Sequence, residues 1–132
     1  MTTRKPRITL TAHDHEKLSI IARAAESNMP DVAAVLTEEL ERAHVLAKGR
    51  HPEHTVCMGS EVEFRDDTTG KVQEVMLVYP DEADISKGKI SVLTPIGTAL
   101  IGLRAGHSIT WETRTGDLRT LTVLTVREPQ LA

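Results

Sequence analysis

Two hydrophobic periods divide the chain near residue 50. In "LTAHDHEKLSIIARAAE", Leu18, Ile21 and Ala25 recur at helical spacing, with Ile20 and Ala24 beside them. Thr11 stands ahead of them as an N-cap, and Asp14 and Glu16 fall in the first turn, where carboxylates suit the helix dipole. That places His13, Asp14 and His15 on a solvent-facing first turn. "SNMPD" stops this helix. Pro30 pushes Met29 out of the α region and can itself open a second helix at its first turn. Val32, Leu36, Leu40, Ala43 and Ala47 then lie on one stripe flanked by Val35, and Gly49 marks the end. Two helices of about 15 residues joined by so short a link are antiparallel neighbours, a hairpin of roughly 20–25 Å. Such a hairpin buries one seam by itself. Its other apolar surface must be covered by its own chain or by a partner.

After the polar "RHPEH" the period becomes two. Val56 and Met58 alternate, then Val62 and Phe64. "RDDTTGK" reads as a hairpin turn, "VQEVMLVYP" as a strand ended by Pro80, and "DEADISKG" as an acidic loop. "KISVLT", "HSITWE" and "LRTLTVLTV" complete a set of five strands, the last two joined through Gly116-Asp117. Between them, "PIGTALIGL" predicts one short helix. Pro95 suits its first turn, Thr94 caps it, and Ile96, Ala99, Leu100 and Leu103 form its apolar face. Gly97 and Gly102 weaken it, which limits it to about two turns. The pattern is α+β: a helical hairpin over residues 1–50 and a mostly antiparallel sheet domain over residues 51–132, one face of the sheet covered by the short helix.

Composition narrows this picture. Phe64, Tyr79 and Trp111 are the only aromatics, so the core is aliphatic. The net charge of −3 argues against a strongly cationic nucleic-acid binder. Residues 1–50 carry eight basic and seven acidic side chains, and residues 51–132 carry eight and twelve, so the sheet domain is the acidic part and suits a basic protein surface. The single cysteine, Cys57, allows no intrachain disulfide, as expected of a cytoplasmic protein. No apolar run approaches the roughly 18–20 residues of a membrane span, and no apolar segment follows the basic N-terminus as in a signal peptide.

The stretch "ISVLTPIGTALIGLRAGHSITWE" resembles the C-terminal domain of the bacterial Gre transcript-cleavage factors. Together with "LTAHDHEKL", "EELERAHV", "VEF" and "LVYP" in that order, it is closer still to their short relatives, the Rnk proteins, regulators of nucleoside diphosphate kinase. The resemblance covers roughly residues 8 to 127. It implies an N-terminal antiparallel coiled coil followed by an FKBP-like sheet domain. It also implies a partner, RNA polymerase, gripped at the β′ subunit coiled coil near the secondary channel. The serine-proline-isoleucine segment that lies in that contact in Gre factors corresponds here to Thr94, Pro95 and Ile96; threonine keeps the hydroxyl. Leu100, Arg104, Tyr79 and Asp81 extend the expected patch. His107 stands where relatives usually carry an acid.

Gre factors hold a catalytic Mg²⁺ with acidic residues at the tip of a longer hairpin. The tip here, "ESNMPD", offers Glu26, Asn28 and Asp31, but fifteen residues at about 1.5 Å each reach only roughly 23 Å. The expectation is a polymerase-binding regulator with no catalytic residue of its own, no cofactor, no bound metal and no sequence-specific DNA contact. A transcript-cleavage factor using Glu26 and Asp31 is one alternative. An FKBP-like peptide binder or prolyl isomerase is another, although only Tyr79 and Trp111 could furnish the aromatic floor such a pocket needs. A homodimer through the stripe of Leu36, Leu40 and Ala43 is a third reading, and it can coexist with polymerase binding. His51, His54 and Cys57 lack the second ligand pair of a structural zinc site.

Overall fold

The structure, a computed structural model, describes residues 8–112 and 115–127, with the backbone alone at 111–112. The basic N-terminal residues and the Trp111 side chain, both weighed above, lie outside it. The chain runs β1 (Thr9–Leu10), α1 (Ala12–Ala25), α2 (Pro30–Arg42), β2 (His44–Val45), β3 (Glu61–Asp66), β4 (Val72–Val78), β5 (Lys89–Ser91), α3 (Pro95–Leu100), β6 (Ser108–Glu112) and β7 (Leu118–Arg127). Two 3₁₀ turns, Pro80–Glu82 and Ile85–Lys87, fill the loop before β5. No helix among the described residues is long and apolar enough to cross a membrane.

The helix starts follow the local chemistry. The Thr11 hydroxyl accepts from the Asp14 N–H at 3.0 Å, and Pro30 occupies the first turn of α2. The end of α2 differs from the expectation. It stops at Arg42, and Ala43 is extended. His44 and Val45, weak helix formers, pair in parallel with Thr9 and Leu10 instead. His44 N–H donates to the Ile8 carbonyl and Leu46 N–H to the Leu10 carbonyl, both at 2.9 Å. The backbone groups that a longer helix would have used are satisfied across this small pair.

The main sheet has the order β5-β4-β3-β7-β6. It is mixed rather than antiparallel: β5 runs parallel to β4, because the chain returns through the 3₁₀ loop instead of a tight hairpin. The other pairs are antiparallel, with a bulge at Glu63/Phe64 against β7. Val62, Phe64, Leu77, Ile109, Leu121 and Val123 point inward. On the outer face Thr110 and Ser108 bond the hydroxyls of Thr120 and Thr122 at 2.9 and 2.7 Å.

Hairpin and sheet share one apolar cluster. Ile8, Leu10, Leu18 and Leu36 join Phe64, Leu77, Leu100 and Leu103 in it, all nearly or fully buried. The chain therefore covers its own hairpin. Leu36 is 0% and Leu40 6% exposed, so the stripe proposed above for pairing with a second copy is spent inside the molecule.

Candidate functional site

Helix α3 is only six residues long, and its start is tied down tightly. The Thr94 hydroxyl donates to the Ser91 carbonyl at 2.7 Å and accepts from the Gly97 N–H at 3.0 Å. Thr98 hydroxyl donates back to the Thr94 and Pro95 carbonyls, each at 3.1 Å. Gly97 is buried, and its lack of a side chain matters: a Cβ there would lie 2.2 Å from the Ser91 carbonyl oxygen and 2.8 Å from the Val92 Cα. The helix start is thus pressed onto the end of β5. The result is a rigid corner with Pro95 exposed, Thr94 half-buried, and Ile96 half-buried against the core.

Beside this corner the inner face of the sheet borders a groove of about 470 Å³, lined by Pro95, Ile96 and Ile85 together with the inward-facing Phe64, Val75 and Leu121. The groove also has polar lining: Asp66, Gln73 and Arg119, and Lys89. Arg119 Nη2 lies 3.8 Å from Asp66 Oδ2.

The other expected contact residues are spread more widely. Leu100 is 0% exposed, so it supports α3 from beneath and cannot touch a partner; helical spacing put it on the apolar face, and that face is the core. Arg104 is exposed, but on a turn bridged to Thr55 of the linker rather than on the groove. His107, also exposed, completes that turn by donating its N–H to the Arg104 carbonyl at 3.0 Å. Asp81 is exposed in the first 3₁₀ turn.

Tyr79 belongs to the seam between hairpin and sheet. Its hydroxyl donates to Asp14 Oδ1 at 3.4 Å, and Lys17 Nζ stands 4.2 Å from its ring centre. Burial, and then the nearby Asp14 charge, push its phenol well above the usual range. Asp14 itself is 7% exposed and also accepts the Met58 N–H at 3.2 Å. It is no solvent-facing cap residue, and neither is His15, whose Nε2 lies 3.2 Å from the Leu40 carbonyl. Only His13 of the three is exposed as expected.

At the hairpin tip Glu26 and Asn28 lie in the turn and Asp31 in the first turn of α2, all exposed. In the linker His51 and His54 are exposed while Cys57 is buried, which separates the three residues weighed as metal ligands. Sequence reasoning missed the groove and Ile85. The one available signal was a lone aliphatic inside the polar run "DEADISKG".

Residues 51–128 match the family model described as transcription elongation factor, GreA/GreB, C-term, and residues 6–46 match the Rnk N-terminus. The chain is 36% identical over 130 residues to the regulator of nucleoside diphosphate kinase of Escherichia coli (strain K12), spanning 97% of this chain and 95% of that one. Transcription elongation factor GreA of Thermodesulfovibrio yellowstonii is 37% identical over 89 residues, 67% of this chain and 56% of the relative. A solved prokaryotic transcription elongation factor GreA/GreB from Nitrosomonas europaea superposes with a TM-score of 0.72 at 34% identity, covering 94% of this chain and 100% of that one. With an α+β fold similar to that structure and matches along nearly its whole length, the chain belongs to the Rnk branch of the GreA/GreB family of transcription elongation factor-like regulators.

Proposed function

We propose that the protein binds bacterial RNA polymerase near its secondary channel, at the β′ coiled coil, and regulates transcription in the cytoplasm without cleaving RNA itself. The observation that carries this reading is the corner at Thr94, Pro95 and Ile96. A buried glycine and a double-bonded threonine cap hold an exposed proline out from the sheet, at the position where the resemblance puts the polymerase contact. Pro95 and Ile96 supply the apolar contact, with Asp81 from the adjacent loop. Arg104 and Tyr79 flank it at greater remove, and Leu100 only supports it.

The finger supports regulation rather than cleavage. Helices of 14 and 13 residues span about 20 Å, and the family's cleavage hairpins are about twice as long. Laid as an antiparallel pair beside the docking corner, they fill the mouth of a channel and compete with longer factors there. Glu26, Asn28 and Asp31 then contact the channel wall rather than a catalytic Mg²⁺. A prolyl isomerase finds little support in the groove, whose aromatic lining among the described residues is Phe64 at 2% exposure.

Pro95→Glu tests the reading. The residue is exposed at the first turn of α3, where a carboxylate suits the helix dipole, so the fold should survive. Loss of co-purification with core polymerase is expected. Binding at the wild-type level would show that the docking face lies elsewhere.

A further inference from the structure

We infer that the groove beside Pro95 and Ile96 is a self-association surface, and that its occupant is the 81–85 loop of a second copy of this chain. Ile85 is 88% exposed, the largest exposure among the large hydrophobic side chains of the described residues. The loop holding it out is stiff. Asp84 Oδ1 accepts from the Ser86 N–H at 3.1 Å and from the Ser86 hydroxyl at 2.6 Å. Asp84 and Lys89 exchange backbone hydrogen bonds at 2.9 and 3.0 Å. An isoleucine held out in water on a braced loop at the edge of the groove is a knob that a second molecule can receive.

The hole lies next to it on the same face. The groove of about 470 Å³ has an apolar lining, and Lys89 and Arg119 stand among its side chains. Arg119 is engaged by Asp66, whereas Lys89 has no ion-pair partner among the described residues. The complementary ligand is an aliphatic side chain with carboxylates just before it in sequence. Asp81-Glu82-Ala83-Asp84-Ile85 is such a segment. The Asp84 carboxylate is used within its own loop, so Asp81 and Glu82 carry the charge across. Knob and hole on one face meet the requirement of a two-fold contact, in which each copy's Ile85 enters the other's groove. Pro95 and Ile96 wall the same groove, so the dimer hides the corner assigned to polymerase. That consequence, unlike the self-association itself, rests on the docking reading.

Sedimentation equilibrium of the full chain alone tests the contact. The average mass should climb from monomer toward dimer between about 1 μM and about 1 mM, the range of small interfaces. Ile85→Glu and Lys89→Glu should each weaken the dimer at least about tenfold, with unchanged circular dichroism. Combining Lys89→Glu with Glu82→Lys should restore it. A monomer throughout, or association indifferent to both single substitutions, overturns the inference; a charge swap that restores nothing overturns the pairing of Glu82 with Lys89. Because polymerase is absent from the experiment, neither result depends on whether Pro95 docks there.

Discussion

Asp14 carries a carboxylate at 7% exposure, and the groups it satisfies come from distant parts of the chain: the Met58 N–H and the Tyr79 hydroxyl. A hydrogen bond to a charged, buried group contributes about 1.5–3 kcal/mol, more than a surface ion pair does; the Met58 N–H makes one at 3.2 Å, and the tyrosine contact, longer at 3.4 Å, contributes less. Sequence alone placed Asp14 in the first turn of a helix and stopped there, since nothing local announces that a residue 44 or 65 positions away will reach it. Tyr79 makes the contact observable, because it is the only tyrosine of the chain. Below the ordinary phenol value of 10.0 the hydroxyl is neutral in both folded and unfolded chains, and stability does not respond to it. Above that value the unfolded chain releases the proton while the folded one keeps it, so stability falls as pH rises. Phenolate absorbance should therefore appear well above the free tyrosine midpoint and together with alkaline unfolding. In Asp14→Asn the midpoint should drop only part of the way, because burial is the larger cause. A wild-type midpoint at the free value would mean that the hydroxyl is not held at this seam.

At the scale of the element, α3 shows what spacing can and cannot reveal. Thr94 as cap, Pro95 in the first turn and a helix of about two turns all follow from local rules, and the structure has them. The role of Gly97 does not. Read locally it is a helix-weakening residue, but its cost is set by the Ser91 carbonyl oxygen 2.2 Å from where a Cβ would sit. Gly97→Ala gains helix propensity of roughly 1 kcal/mol and loses more, because the obstructing atoms are backbone and cannot swing aside. The substitution should lower stability by about 1–3 kcal/mol in urea unfolding. A stabilised variant would show that α3 does not sit against β5. Helix α2 failed in the opposite direction: its stripe predicted helix as far as Ala47, yet pairing with β1, a partner more than thirty residues earlier in the chain, drew His44 and Val45 into a strand. Similarly, the parallel β4–β5 pair depends on the path of the 3₁₀ loop and has no signature in the alternation of either strand.

For the whole molecule, one apolar cluster takes in residues from both sides of the change of hydrophobic period near residue 50. Ile8, Leu10, Leu18 and Leu36 are all 0% exposed and sit in the same cluster as Phe64, Leu77 and Leu103 of the sheet region. Gly102 lies so near Ile8 that a Cβ would come within 2.6 Å of the isoleucine Cβ, which locks the start of the chain onto the end of α3. Each such side chain contributes about 1.5–3 kcal/mol by leaving water. Losing the four from the first fifty residues removes an amount comparable with the whole net stability of a small domain, about 5–15 kcal/mol. The hairpin then helps to cover the core that it shares with the sheet. A chain of residues 51–132 alone should lack a cooperative thermal transition and should bind a hydrophobic dye. If it instead melts cooperatively near the full-length midpoint, the sheet is self-sufficient, and the hairpin and the corner at Pro95 are free to move independently. The shared core makes the opposite expectation: any force on the hairpin is borne directly by α3, which α2 contacts and whose first turn carries Pro95.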